Sequence, residues 1–391
     1  MLDFKWAIHR SLTPSTFYTV NAGVLSIMVS FSSLNGEQMH GHKHMIETVL
    51  RGELGFQGLI VSDWAGHDQL RAGKAPKEKL ALCVNAGVDL IMIPEHYKAY
   101  LQNMEAAIAE GLLSAARLDE ACTRVLRLKL DLGLFDSPMA DRRLLDRVRC
   151  PEHLTLARRA VQSSCVLLKN RGPVLPLGGA GTGAGGLQSL FVCGKGANDL
   201  GLTCGGWSCS WQGASGPITT GMTVLEALAE ALPDTQITYD EHGKGLNPEE
   251  HEAALVVVAE DPPYAEWFGD RTELSLPTAE QEVVDRVTKK GVPVVAVILA
   301  GRPLIAERAW ADVDALLLAF LPGSEGGLGI VDLLLGAVGP TAKMPLGLPE
   351  GLEVDAEARE LFAKGQGLTY ETEDAGAGLP PPQPFLRREF T

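Results

Sequence analysis

The sequence predicts an α/β protein in which mostly parallel strands build two successive domains. Three observations carry that expectation. Short, nearly all-apolar runs rich in Val, Ile and Leu alternate with segments of helical periodicity, as in βαβ units. A charged stretch with two prolines and no sustained periodicity, residues 136–153, interrupts the alternation and reads as a linker. The 391 residues, 46% hydrophobic and 21% charged, leave room for about two hydrophobic cores.

Taken in order, GVLSIMVSF (Gly23 to Phe31) has the pattern of a parallel strand buried on both faces. HMIETVLRGELGF then reads as a helix with Met45, Val49 and Leu50 on one face, ended by Gly52 and Gly55. The strand GLIVSDW follows, then a helix over KEKLALCVNAG and a third strand, VDLIMIP, from Val88 to Pro94. This β, α, β, α, β series with right-handed crossovers fits a doubly wound sheet or a (β/α) barrel. In LDEACTRVLRLKLDLGLF, Leu118, Cys122, Val125 and Leu128 form an apolar stripe, with Arg117, Arg124 and Arg127 outside it.

Beyond the linker, HLTLARRAVQSSCVLLKN restarts a helical pattern, and GGAGTGAGG (Gly178 to Gly186) reads as a flexible surface loop. Strands are expected in SLFVCG, QITYDE, AALVVVAE, VPVVAVILAG and ALLLAFLPG, with TVLEALAEAL among the intervening helices, giving a second α/β domain with a largely parallel sheet. The tail GLPPPQPFLRREFT reads as extended.

A net charge of −15 repels nucleic acid and anionic membranes and suits a neutral substrate. The first 17 residues hold no continuous apolar segment of the signal-peptide kind, and no run reaches the ~18 apolar residues of a membrane span. Seven cysteines lie scattered without a CxxC, so neither a zinc site nor a disulfide framework is indicated.

Five features compete for the chemistry. GKGAND follows a strand like half a dinucleotide loop but lacks the third glycine. HGHKH (His40 to His44) offers imidazoles without a nearby carboxylate at ligand spacing, and its plainer reading is a polar helix entry. CGGWSCSWQGASG sets Trp207 and Trp211 in a polar glycine-rich loop, where exposed indoles suit stacking on sugar rings. AEDPPYAEWFGDR sets Glu260, Asp261, Glu266 and Asp270 among Tyr264, Trp267 and Phe268; a carboxyl packed among rings has a raised pKa and suits a general acid. Finally, Asp63 with Trp64 ends a strand, where barrel enzymes carry catalytic groups. Two such carboxylates are what glycoside hydrolysis requires.

VLSIMVSFSSLNGEQMHG, LRGELGFQGLIVSDWAG, CGGWSCSWQGASG, EDPPYAEWFGDRTELSLP, AGRPL and LPGSEGG together resemble, in order, glycoside hydrolase family 3, most closely its plant and bacterial β-glucan exohydrolase and β-glucosidase branch. The resemblance runs from about Gly23 to about Tyr370. It implies the C-terminal part of a (β/α)8 barrel over residues 1–135, the linker 136–153, an α/β sandwich domain over 154–375 and a proline-rich tail, 376–391, with the active site between the domains. It implies Asp63 as nucleophile and Glu266 as acid/base in a retaining hydrolase that releases glucose from the non-reducing end of β-glucosides or β-glucans. Trp64 and Trp211 would grip the sugar on the leaving-group side, with Trp207 and Phe31 also lining the substrate. The two carboxyls would stand about 5 to 5.5 Å apart in the closed site. No metal or organic cofactor is implied. Family members are often secreted or periplasmic, and the compartment of this chain stays open.

The sequence also departs from that pattern. Three strands precede the linker, whereas a closed barrel has eight strands in about 250 residues; the absent part supplies an Asp, an Arg and a Lys-His pair that hold the sugar in the family. Phe31 stands where the plant-type enzymes have Tyr, Leu34 replaces a usual Trp, and LFAKGQGLTY is a worn form of an FPFGxGLTY-like motif. The alternative expectation is an inactive remnant that binds glycan weakly through Trp64, Trp207 and Trp211, or serves structurally. An incomplete barrel leaves a strand edge open, so self-association is expected.

Overall fold

The computed structural model describes residues 13–172, 174–178, 186–302, 304–305, 307–349 and 360–371. The first twelve residues, most of the glycine tract and the proline-rich tail lie outside the described residues. Two compact units are present, 1–143 and 144–391.

The first unit begins with helix α1 (Thr13–Asn21) and strand β1 (Ser26–Met28), followed by a small hairpin, β2 (Ser33–Leu34) and β3 (Glu37–Gln38). Strand β4 (Leu59–Val61) lies parallel to β1, with Ile27 opposite Ile60. The expected third strand is reduced to a parallel bridge, Val61 to Leu90, framed by hydrogen bonds from Asp89 N–H to the Ile60 carbonyl and from Ser62 N–H to the Leu90 carbonyl. Helices α2 (Pro76–Asn85), α3 (Tyr97–Ala109) and α4 (Ala115–Asp131) complete the unit. Ile46, Phe56, Ile60, Leu70, Cys83 and Val88 form its main core.

Four expectations need correction here. Strand β1 is not buried on both faces: among the described residues it pairs with β4 alone, and Leu25 and Met28 are exposed. His44–Glu53 winds as a π-helix, not an α-helix. Its wider turn sends the Leu54 N–H to the Val49 carbonyl and buries Ile46 and Arg51, while of the expected face Leu50 packs against the core and Met45 and Val49 are half-buried. On α4 Leu118, Val125 and Leu128 of the expected stripe are half-buried, but Cys122 is exposed and Ala121 is buried in its place. Arg117 and Arg124, expected outside, turn inward because Asp89 has no solvent-exposed side-chain surface and needs cationic partners. One Asp89 oxygen accepts from Arg117 Nη2 (2.8 Å) and Arg124 Nη1 (2.9 Å), the other from Arg51 Nη2 (2.7 Å) and the Ile60 N–H (3.1 Å). Only Arg127 points to water.

The second unit is built on a six-stranded sheet. After a 3₁₀ turn over Arg142–Arg147, helix α5 (Pro151–Ser164) leads into β5 (Val166–Asn170). CVLLKN is therefore a strand rather than helix: Val166–Asn170 is buried along its whole length and, among the described residues, pairs with a single neighbour at the edge of the sheet. The chain continues through β6 (Ser189–Cys193), α6 (Leu200–Cys204), α7 (Val224–Ala231), β7 (Gln236–Tyr239), β8 (Ala253–Ala259), α8 (Thr278–Thr288), β9 (Val294–Leu299), α9 (Glu307–Asp312), β10 (Ala315–Phe320) and α10 (Gly326–Leu334). The order across the sheet is β5-β10-β9-β8-β6-β7, parallel throughout except for β5, which runs antiparallel to β10. Alternate residues of each strand feed two cores. Leu190, Leu255, Val295 and Leu317 meet α5, α7 and α10 on one face. Phe191, Val256, Ala296 and Leu316 meet α8, Trp310 of α9 and the short pair β11 (Leu348–Pro349) and β12 (Glu360–Phe362) on the other. Both faces are covered, which is why the strands read as continuous apolar runs.

From β6 the chain steps outward to β7 and then returns to the opposite side of β6 as β8. Loops leaving the carboxyl ends of β6 and β8 thus diverge from a topological switch point, the place where open α/β sheets bind ligands.

Candidate active site

In the first unit, Phe31, Asp63 and Met92 all follow the carboxyl ends of parallel segments. Ser62, fully buried, clamps the tip of β4: its hydroxyl donates to the Asp63 carbonyl (2.8 Å) and accepts from the Met92 N–H (2.8 Å). The Asp63 N–H donates to Nε2 of His40 (2.9 Å), so that imidazole carries its proton on Nδ1. Burial lowers the His40 pKa, opposed by Asp63 and reinforced by His67, which keeps the ring a neutral acceptor. The Phe31 ring stands 5.7 Å from it. Gly66 makes this possible, since a Cβ there would lie 2.2 Å from His40 Nε2. One Asp63 carboxylate oxygen accepts from the Trp64 N–H (2.7 Å), and the Trp64 indole is 61% exposed. Asp63, His40 and Phe31 therefore form one cluster, with Trp64 beside it.

The imidazoles of HGHKH are not gathered round a metal. His40 supports the Asp63 backbone and His42 is buried, while exposed Lys43 and His44 lead into the helix His44–Glu53, so the segment is a polar helix entry with two of its imidazoles buried. Among the described residues no group of three or more His, Cys, Asp or Glu is placed to hold a metal ion.

In the second unit, the loop after β6 is pinched at its base by Asp199. That carboxylate caps α6 through the Leu202 N–H (3.0 Å) and accepts from the Gly216 N–H (2.9 Å) and the Ser215 hydroxyl. Trp207 and Trp211 project from the loop so formed. Gln212 ties it to the loop after β8: its carbonyl accepts from the Tyr264 N–H (3.0 Å), its side-chain oxygen from the Ala265 N–H (3.1 Å), and its Nε2 donates to the Glu266 carbonyl (3.1 Å). Glu266 then lies between two indoles, with Trp207 Nε1 donating to one carboxylate oxygen and Trp211 Nε1 to the other, each at 3.2 Å. The rings of Trp207, Trp211, Phe268 and Trp267 follow one another at 6.3, 5.8 and 6.3 Å. Trp207 and Trp267 are more than 70% exposed, and both hold left-handed backbone conformations that bulky residues rarely adopt.

The expectation of a raised carboxyl pKa in this loop fails for Glu266. Its own backbone N–H and the two indole donors favour the charged form and lower the pKa, because the side chain is open to water. The loop's buried carboxyl is Glu260 instead. Behind it, Glu280 on α8 is also buried and accepts from the Ala259 N–H at 3.3 Å. Desolvation pushes its pKa up to about 7, against the pull of Lys195. A carboxyl that binds its proton more tightly when folded favours the folded state below the unfolded pKa and loses that contribution as pH rises toward 7. Glu280→Gln is therefore expected to raise stability by about 3 kcal/mol at pH 8 and to leave it unchanged at pH 4, read from denaturant unfolding at the two pH values.

His40 and Gln212 were not singled out by the sequence pattern. His40 sat inside a tract that suggested metal, and Gln212 follows Trp211 directly, yet only folding shows that its amide joins two loops about 50 residues apart.

The fold is mixed α/β with a parallel-rich sheet and two sets of loop-borne aromatics and carboxylates at strand carboxyl ends. Residues 165–370 match the glycosyl hydrolase family 3 C-terminal domain and residues 11–128 its N terminal domain. The chain belongs to glycosyl hydrolase family 3. It is 31% identical to the lysosomal beta glucosidase of Dictyostelium discoideum over 93% of its own length and 48% of that protein. An exo-1,3/1,4-beta-glucanase from a Pseudoalteromonas species superposes with a TM-score of 0.78 at 35% identity, covering 92% of this chain and 46% of that one. A mutant beta-glucosidase from Listeria innocua in complex with laminaribiose superposes with a TM-score of 0.77 at 26% identity, covering 91% and 53%. The chain thus spans about half the length of the curated relatives it matches.

Proposed function

We propose that the chain carries the catalytic pair of a retaining β-glucosidase or exo-β-glucanase. The observation that carries this reading is Glu266 held by two indole N–H groups within a row of exposed rings, the pairing of a proton-transfer group with a sugar-stacking surface. In the reading, the Asp63 carboxylate attacks the anomeric carbon while Glu266 gives its proton to the departing oxygen; water, deprotonated by Glu266, then releases the sugar from Asp63. The indole bonds hold Glu266 as the carboxylate that the second step needs. A sugar that excludes water from this carboxyl raises its pKa toward the protonated form of the first step. Trp64 and Trp211 would stack on the sugar, with Trp207 and Phe31 at its margins.

The proposed architecture is the last strands of a (β/α)8 barrel in residues 1–135, a linker over 136–153 and an α/β sandwich domain over 154–375. The relatives' names, β-glucosidase and exo-1,3/1,4-beta-glucanase, support a β-linked glucoside as substrate. The net charge of −15 accords with a neutral ligand and not with nucleic acid or an anionic membrane. Among the described residues no helix is long and apolar enough to cross a membrane.

Hydrolysis of an aryl β-glucoside by the purified chain, beside Asp63→Asn and Glu266→Gln, tests the reading. A wild-type rate equal to both variants defeats it. We also propose self-association through the edge of β1 that pairs with no strand among the described residues, near exposed Leu25 and Met28. Light scattering is expected to show a mass that rises with concentration; a constant monomer mass would dismiss the idea.

A further inference from the structure

The AGRPL segment after β9 has no part in the chemistry above, and Glu260 is a fully buried carboxyl that the proposed reaction does not use. The two meet. Arg302 Nε lies 2.6 Å from one Glu260 carboxylate oxygen, and the other oxygen accepts from the Gly301 N–H at 3.3 Å. The remaining arms of the guanidinium reach the backbone of the neighbouring loop: Nη1 donates to the Gly269 carbonyl (2.9 Å) and Nη2 to the Tyr264 carbonyl (3.2 Å). Those carbonyls bracket the turn that carries Glu266. Inside it the Gly269 N–H donates to the Ala265 carbonyl (2.7 Å) and the Phe268 N–H to the Glu266 carbonyl (3.1 Å). The turn is too tight for a side chain at its end, since a Cβ on Gly269 would lie 2.1 Å from the Ala265 oxygen.

Taking Glu266 in the role proposed above, we infer that Arg302 is its positioning residue: anchored on buried Glu260, the guanidinium spans the turn from Tyr264 to Gly269 and sets where the Glu266 carboxyl stands. Only a planar fork with several donors can sit in ion-pair contact with one carboxylate while it hydrogen-bonds two diverging carbonyls; a lysine ammonium supplies the charge but not the span. Glu260 fits the anchoring task. Burial raises its pKa while Arg302 pulls the other way, so the ion pair and the guanidinium's placement depend on each other. Tyr264 completes the frame, its hydroxyl donating to the Glu260 carbonyl at 2.8 Å. The left-handed backbone of Trp267, next to Glu266, is a conformation that persists only where its surroundings over-determine it. Gln212 and the indoles hold Glu266 from one loop, and Arg302 holds its turn from another.

Two readouts on the full chain test this, with Arg302→Lys and Glu260→Gln as the variants. In hydrogen exchange, the amides of residues 264–270 are expected to exchange at least about tenfold faster in Arg302→Lys, while those of β8 keep their wild-type protection. Unchanged exchange in the turn overturns the inference whatever the activity. So does a loss of protection spread evenly over β8 and β9 in both variants, which is the mark of a general structural role. In hydrolysis, Arg302→Lys is expected to lower kcat/KM, which reports formation of the glycosyl intermediate, at least about tenfold on a β-glucoside with a poor leaving group and to spare kcat/KM for a 2,4-dinitrophenyl β-glucoside that departs without a proton. Equal losses on both substrates overturn it. Glu266→Gln is the reference: if that variant shows no leaving-group dependence, the functional reading of Glu266 has failed, and the exchange experiment still decides whether Arg302 holds the turn.

Discussion

In Asp63→Asn, hydrolysis of every β-glucoside is expected to fall by about 10⁴-fold whatever the leaving group, the scale on which loss of a nucleophile is felt. That corresponds to about 5 kcal/mol of transition-state stabilisation. The substitution keeps the side-chain oxygen that accepts from the Trp64 N–H and the backbone bond to His40, so the loop has no reason to move. What it removes is the negative charge that attacks. Glu266→Gln should differ in kind: a substrate that needs its oxygen protonated slows by ~10² to 10⁴-fold, whereas one with a strongly acidic phenol forms the glycosyl intermediate at nearly the wild-type rate. Values of kcat/KM on a series of aryl glucosides, plotted against phenol pKa, distinguish the two. A shallow slope for Glu266→Gln would remove it from the acid role.

The second large effect is on stability. Asp89→Asn is expected to destabilise the first unit by about 3 to 5 kcal/mol, because it leaves Arg51, Arg117 and Arg124 crowded round a group that no longer carries charge. The damage should reach β4, since the same carboxylate accepts the Ile60 N–H. Calorimetry and hydrogen exchange over residues 59–63 would register it. A transition shifted by less than about 1 kcal/mol would mean that the three guanidinium groups find water or other acceptors without cost.

Much of the second unit was legible beforehand. SLFVCG, AALVVVAE, VPVVAVILAG and ALLLAFLPG are buried on both faces, and continuous Val and Leu runs have no other good explanation. CVLLKN was misread because apolar periodicity carries over from α5 into β5 with only Cys165 between them, and no Gly or Pro marks the junction. In the first unit the arginines of α4 were placed outside by the rule that charge seeks water. The rule failed because Asp89, 28 residues before Arg117, makes an opposite demand that no local pattern records. Trp207 and Trp211 stood out in composition as aromatics stranded in a polar loop, whereas Glu266 was one of four carboxylates in its segment and was set apart only by the family resemblance. Their mutual hydrogen bonds could not be read there, because these depend on a loop closure by Asp199 and Gln212 across long stretches of chain.

The pairing of β5 with β10 bears on how the second unit is made. Val166 lies opposite Leu318, so the strand that emerges first finds its neighbour only after the rest of the sheet has been synthesised. During that interval β5 presents unpaired backbone and an apolar surface, while β6 to β9 can already assemble from nearer partners. Closing so long a loop is a late and slow event on the folding path. A nascent chain halted before β10 would therefore be a client for chaperones, and its protection against proteolysis should appear abruptly once residue 320 clears the ribosome.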